Sequence, residues 1–167
     1  MSAVPVPDSP SLRPADLGDR TECVALWVQA CAERDGQAYP GVAERAAPKF
    51  DDRVAWIVAE HPAGEIVGFA LATKPGSADQ SDPPAAAVLG LLAVDPHVQM
   101  AGLGRKLLAK ITGELADLGF EQAVLHVLSE NTAAIRLYES AGWMPVGPPI
   151  EHSLLKRPSQ TYVVELA

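Results

Sequence analysis

Gln99, Gly102 and Gly104 stand where an apolar strand-like run ending Leu92-Ala93-Val94 gives way, through Asp95 and Pro96, to a helix-like run opening at Leu103. The first turn of a helix presents unpaired N–H groups and a partial positive charge. Glycines there remove the side chains that would hold a ligand away, which suits a pyrophosphate. The same two glycines also suit a tight turn that binds nothing. The familiar phosphate loops do not apply. Gly-x-x-x-x-Gly-Lys-Ser/Thr is absent, and Gly-x-Gly-x-x-Gly fails because Leu107 stands three residues after Gly104.

Further along lie His126, inside the apolar run Ala123-Val124-Leu125-His126-Val127, then Asn131 and Tyr138. His126 is either a titrating group beside a site or a satisfied histidine of a sheet. Asn131 precedes a helix-like run and suits an N-cap. His61, His97 and His152 have no partner at metal-ligand spacing, so no metal is expected. Glu33, Asp35 and Tyr39 fall between two predicted helices, either as a solvated loop or as a seat for a cationic substrate.

The elements that must position these groups follow from periodicity. Residues 1–10 are proline-rich and aperiodic and predict a loose tail; residues 11–167 predict one domain. A short first strand and turn lead to a helix over Asp19–Arg34, with Cys23, Leu26, Trp27, Ala30 and Cys31 on one stripe. A weaker helix follows near residues 42–50. Val54–Ala59 and Ile66–Thr73 read as a hairpin around Pro62 and Gly64. Residues 86–94 form an almost wholly apolar run, as in a central strand buried on both faces. Leu103, Leu107, Leu108, Ile111, Leu115 and Leu118 recur at helical steps. A second apolar strand, a helix from residue 132 to Gly142, and closing strands over 143–146 and 161–166 complete the order. The pattern predicts α+β (mixed α/β) architecture: a central mixed sheet flanked by helices, with a strand-helix-strand crossover near its middle.

The bulk numbers bound the partners. The chain has 167 residues, enough for one sizeable core, and a formal charge of -8. Nucleic acid is excluded as a main partner, since phosphate binding needs clustered Lys and Arg. A cationic substrate is compatible. Cys23 and Cys31 sit ~12 Å apart along one helix at about 1.5 Å per residue, too far to bridge each other, and suit a reducing cytoplasm as buried free thiols. No apolar run approaches the ~18 residues of a membrane span. A cytoplasmic protein is the expectation.

Taken together, two blocks carry a resemblance. Gln99-Met100-Ala101-Gly102-Leu103-Gly104 after Val94-Asp95-Pro96, and Asn131-Thr132-Ala133-Ala134-Ile135-Arg136-Leu137-Tyr138-Glu139-Ser140-Ala141-Gly142-Trp143, are similar to the two signature blocks of the GNAT superfamily of acyl-CoA-dependent N-acetyltransferases. They stand in the usual order with one strand between them. The resemblance implies the GNAT fold with its twisted sheet, and acetyl-CoA as cosubstrate. It implies backbone pairing of Leu92, Ala93 and Val94 with the pantetheine arm. The amides from Met100 to Arg105, thus including Ala101, Gly102, Leu103 and Gly104, would grip the pyrophosphate beside Gln99. Asn131 would reach the cofactor from the far side, and a homodimer is a family habit.

The implied reaction moves an acetyl group to a primary amine by direct attack in a ternary complex. Such transfer needs an amine that loses a proton, donors for an oxyanion and a proton for the leaving thiolate. A backbone N–H near Val94 would serve the oxyanion, and Tyr138 would serve as acid unless it only packs. His126 occupies the position where ribosomal-protein N-terminal acetyltransferases carry glutamate, and imidazole ordinarily titrates near 6.5. It is the candidate base, with a water chain to solvent as the alternative. The run Leu91–Val94 holds no carboxylate, which leaves a non-catalytic acyl-CoA-binding or sensing module as a rival. A protein N-terminus in place of a small amine is another.

Overall fold

Apolar runs bounded by proline, glycine and charged residues become the strands of a single seven-stranded sheet, in the order β1-β2-β3-β4-β5-β7-β6. The computed structural model describes residues 10–98 and 102–166. The strands are β1 (Ser11–Pro14), β2 (Arg53–Glu60), β3 (Ile66–Thr73), β4 (Ala87–Val94), β5 (Gln122–Leu128), β6 (Met144–Glu151) and β7 (Pro158–Glu165). The helices are α1 (Arg20–Asp35), α2 (Val42–Ala46), α3 (Leu103–Asp117) and α4 (Thr132–Ser140), with a 3-10 segment over Ala47–Asp52 after α2. β4 and β5 pair in parallel across the α3 crossover; every other neighbouring pair is antiparallel.

The helices divide between the faces. α3 and α4 cover one: Leu103, Leu107, Leu108, Ile111 and Leu115 of α3 are buried with Ala87, Leu89, Leu125, Val127, Tyr138 and Trp143. Fully burying such a leucine or isoleucine contributes about 1.5–3 kcal/mol, so this stripe fixes α3 across the sheet. α1 and the segment after α2 cover the other, where Cys23, Leu26, Ala46 and Phe50 pack on Trp56, Val58, Phe69, Leu71, Leu91 and Ala93. Trp27 and Ala30 of the predicted stripe are only partly buried at its margin. Both cysteines are free and buried, and burial pushes the Cys23 thiol up to about 12. Among the described residues no helix is long and apolar enough to cross a membrane.

The C-terminal strands run longer than the sequence pattern predicts. β6 continues past Val146 to Glu151, although Pro148 and Pro149 argue locally for a loop. It is an edge strand of the sheet, and its register shifts between Val146 and Ile150. An edge strand with a bulge tolerates prolines that a central strand would not.

Candidate active site

The parallel pairing of β4 with β5 comprises only Ala87↔Ala123 and Val88↔Val124. Past that point the strands separate, and β4 stays bonded to β3 alone as far as Val94. The cause lies in β4. Its register on β3 slips between Leu71 and Ala72, which pair with Leu91 and Leu89, so Gly90 is the extra residue of a bulge. Packing shows the same slip. Ala87 and Leu89 face the α3 side, as do Leu92 and Val94, whereas Leu91 and Ala93 face α1.

Asp95 N–H donates to Val67 O at 2.8 Å. Alternation along an antiparallel ladder then turns the peptide groups of Ala93 toward β3 and those of Leu92 and Val94 toward the opening. Of the three residues expected to pair with the cofactor arm, Leu92 and Val94 turn peptide groups toward the opening and Ala93 turns its own toward β3.

The opening leads to the start of α3. Gly102 occupies its N-cap with φ 84°, and no side chain caps the helix. Only glycine takes that conformation without strain. Gly104 is different. A Cβ on it would meet Leu137 at 3.5 Å and Val94 at 4.0 Å, ordinary contact distances, so the chain's own packing does not require glycine there. A glycine inside a helix costs about 1 kcal/mol relative to alanine. What that cost leaves in place is room beside Val94 and Leu137 at a half-buried position of the first turn. Arg105 follows on the exposed side of this turn. Gln99, Met100 and Ala101 lie outside the described residues.

His126 projects from β5 between two partners. Its Nε2 stands 3.0 Å from the Asp82 carboxylate, and its Nδ1 stands 3.0 Å from Thr161 Oγ1. Asp82 comes from the long β3–β4 loop, and its side chain is only 1% exposed. Asp82 Oδ2 also accepts from the Asp79 amide at 3.2 Å, while Oδ1 is buried without a hydrogen bond of good geometry. Thr161 arrives by register, opposite His126 on β7. With Nε2–H donated to a carboxylate, the imidazole lone pair lies on Nδ1, under the threonine hydroxyl. His126 is 18% exposed, so the trio has an edge to solvent.

Tyr138 is buried on α4 against Trp143, ring centroids 6.0 Å apart. Burial pushes its phenol up to about 12, so it keeps its proton at neutral pH. Asn131 caps α4, its side-chain oxygen accepting from Ala134 N–H at 3.3 Å. It also lines an open cavity of about 490 Å³ with Arg34, Asp35, Leu128, Glu130 and Arg157. Asp35 is not free for a cationic substrate. It accepts from Arg34 at 2.9 Å and from Arg157 at 2.8 Å, and those contacts hold it below the usual carboxylate range although burial opposes them. Tyr39 OH is engaged by Gln37 at 3.0 Å, and Glu33 is exposed.

Comparison with known proteins bears on this geometry. A model of the acetyltransferase (GNAT) family matches residues 21–143. The chain belongs to the GNAT acetyltransferase family. Mycothiol acetyltransferase of Thermobispora bispora is 32% identical over 147 residues, covering 86% of this chain and 49% of the relative. That of Salinispora tropica is 32% identical, covering 83% and 46%. The chain thus spans about half the length of these curated relatives. The same fold recurs in the ribosomal-protein-S18-alanine N-acetyltransferase of Escherichia coli, with TM-score 0.72, 21% identity and coverage of 94% of each chain. It recurs too in yncA of Salmonella typhimurium, solved with its cofactor acetyl-CoA, with TM-score 0.70, 22% identity and coverage of 95% and 94%.

Within this GNAT fold, the β4–α3 junction and His126 are candidates that the sequence offers, whereas the residues that surround His126 are not. Asp82 sits in a polar loop 44 positions away. Thr161 is one hydroxyl among many until the β5–β7 register places it. Of the acidic residues offered as a seat for a cationic substrate, Asp35 is neutralised by Arg34 and Arg157, while Glu33 is exposed.

Proposed function

We propose that the protein transfers an acetyl group from acetyl-CoA to a primary amine by direct attack in a ternary complex. The observation that carries this reading is the opening between β4 and β5, which runs from a bulge at Gly90 to an uncapped, glycine-lined helix start. Acetyl-CoA, when bound, supplies a thioester carbonyl and a thiol leaving group.

The chain's own residues do the rest. Leu92 and Val94 offer free peptide groups to an extended arm, as an added strand would require. The first-turn amides Leu103, Gly104 and Arg105 face a pyrophosphate at the positive end of α3. The Val94 N–H is the donor for developing oxyanion charge. Nδ1 of His126 takes the proton released by the amine, passed through the hydroxyl of Thr161. Asp82 holds the ring and stabilises the imidazolium that results. Tyr138 keeps its proton and donates a hydrogen bond to the departing sulfur. Asn131 fixes the start of α4, which keeps Tyr138 in place. The acceptor is a small amine or a peptide amine.

The test is thiol release with acetyl-CoA across an amine panel, run beside His126→Ala and Tyr138→Phe. Turnover that falls in both variants supports the assignment, and unchanged turnover in both removes it. One observation favours the binding-module alternative: both ring nitrogens of His126 are engaged. Tight CoA binding without turnover for any amine would select that reading.

A further inference from the structure

The α1 face of the sheet carries a charge arrangement at odds with the chain's acidity. Lys49 lies in the segment after α2, with its stem over the β4 bulge. A Cβ on Gly90 would stand 3.6 Å from Lys49 Cδ, and the ammonium is two bonds further on. Among the described residues no hydrogen bond or ion pair engages that ammonium and no carboxylate acts on it; the Cys31 thiol is the one group that favours its charge. Burial and the charge of Arg45 hold it below its ordinary value. A half-buried cation without a counter-charge is costly, and folded proteins seldom keep one without a use.

Arg45, exposed on α2, is also without a carboxylate partner among the described residues. Its guanidinium reaches Ser153 Oγ in the β6–β7 turn. Around His152 of that turn gather Arg45, Arg34, Lys49 and Arg157; burial first, then these positive charges, hold its imidazole below the ordinary value. Two of the four cations are spent, since Arg34 and Arg157 share Asp35 and Arg157 also meets Glu130. Lys49 and Arg45 are left over. They lie on the α1 face of the sheet, whereas α3 and its amides lie on the other, so cofactor phosphates at the start of α3 do not answer them.

We propose that the amine acceptor carries an oxyanion, carboxylate or phosphate, a few bonds from its amino group, and that Lys49 and Arg45 seat this oxyanion beside the β4 bulge. The inference rests on the acetyl-transfer reading. It reverses the simplest inference from the net charge, because the substrate meets the local field and not the molecular sum.

The test uses matched pairs that differ only in the oxyanion: glycine with glycinamide, β-alanine with its amide, and phosphoethanolamine with ethanolamine. The expected result is that the anionic member of a pair has the higher kcat/KM, by about 10- to 100-fold, the worth of one charged hydrogen bond. Carboxylates and phosphoethanolamine then report which oxyanion fits. Lys49→Met abolishes the preference through KM, and Lys49→Arg keeps most of it. A binding arm needs no turnover: N-acetylglycine and N-acetylglycinamide are titrated into CoA-saturated protein, with tighter binding of the carboxylate expected. Equal binding of that pair, or equal losses for both members in Lys49→Met, overturns the proposal. Absence of heat with CoA alone overturns the acetyl-transfer reading itself, and is thereby distinguished.

Discussion

The two faces of the sheet present their polar groups by different means. In the acetyl-transfer reading proposed above, the working groups on the α3 face are peptide amides at one strand-to-helix junction, beside Gly102 and Gly104. On the α1 face they are side chains from scattered elements: Lys49 after α2, Arg45 on α2, Asp82 in the β3–β4 loop, His126 on β5 and Thr161 on β7. Backbone chemistry can be encoded by a few neighbouring residues, since any sequence supplies amides and glycine only uncovers them. Side-chain chemistry has to be gathered. A GNAT chain can thus hold its cofactor end constant in form while the acceptor end is set by distant substitutions.

This contrast is open to attack at four points. The largest effect belongs to His126→Ala, which is expected to lower kcat by about 100- to 10,000-fold, the range of general acid–base catalysis, with CoA affinity unchanged by calorimetry. A matching loss of CoA affinity would mean that the two faces do not act separately.

Asp19→Ala probes a satisfied charge on the α1 face. Arg13 holds Asp19 through Nη1 and Nη2 at 2.9 and 3.0 Å. Its loss is expected to cost about 2–3 kcal/mol in denaturant unfolding, less than a fully buried pair because Arg13 reaches solvent. The hydrogen bond from Arg13 is the main cause that lowers the Asp19 carboxyl, with burial opposing it. The stability it contributes is therefore complete above the ordinary carboxylate value and disappears as pH falls through the lowered native one. The gap between wild type and variant is expected to close at acid pH.

Gly104→Ala addresses the α3 face. It is expected to weaken CoA binding about 10- to 100-fold through the loss of amide contacts, while the melting temperature holds or rises, since alanine is the better helix former. Lower stability with intact CoA binding would reduce Gly104 to a packing residue.

The smallest effect is Lys49→Met. Removing an unpaired, partly buried charge is expected to raise stability by about 1 kcal/mol or less, or ~2–4 °C in a chain of this size. Its native value is lowered, so below that value the folded state bears the full cost of the charge, and wild-type stability recovers as pH rises through it. The stabilisation from methionine is thus expected to shrink in alkali.

Local pattern made much of this protein legible. The β2–β3 hairpin, the apolar β4, the α3 stripe and the α4 N-cap at Asn131 are each set by contiguous residues, because helix and strand periods and cap chemistry act over one or two turns. The bulge at Gly90 was not readable in this way, because a glycine in an apolar run marks a bulge only once the β3–β4 register is seen. The prolines of β6 misled, because local chemistry cannot tell that a strand lies at an edge.

Amino-acid order by itself determined the family, the element order and a bare-backbone helix start, since each depends on spacing along the chain. Tertiary structure alone decided that Asp82 and Thr161 flank His126, that Asp35 is neutralised by Arg34 and Arg157, and that Lys49 stands unpaired over the bulge. Those facts depend on which distant segments are packed against one another. Burial and Coulomb interaction act over distances in space, which sequence separation does not record.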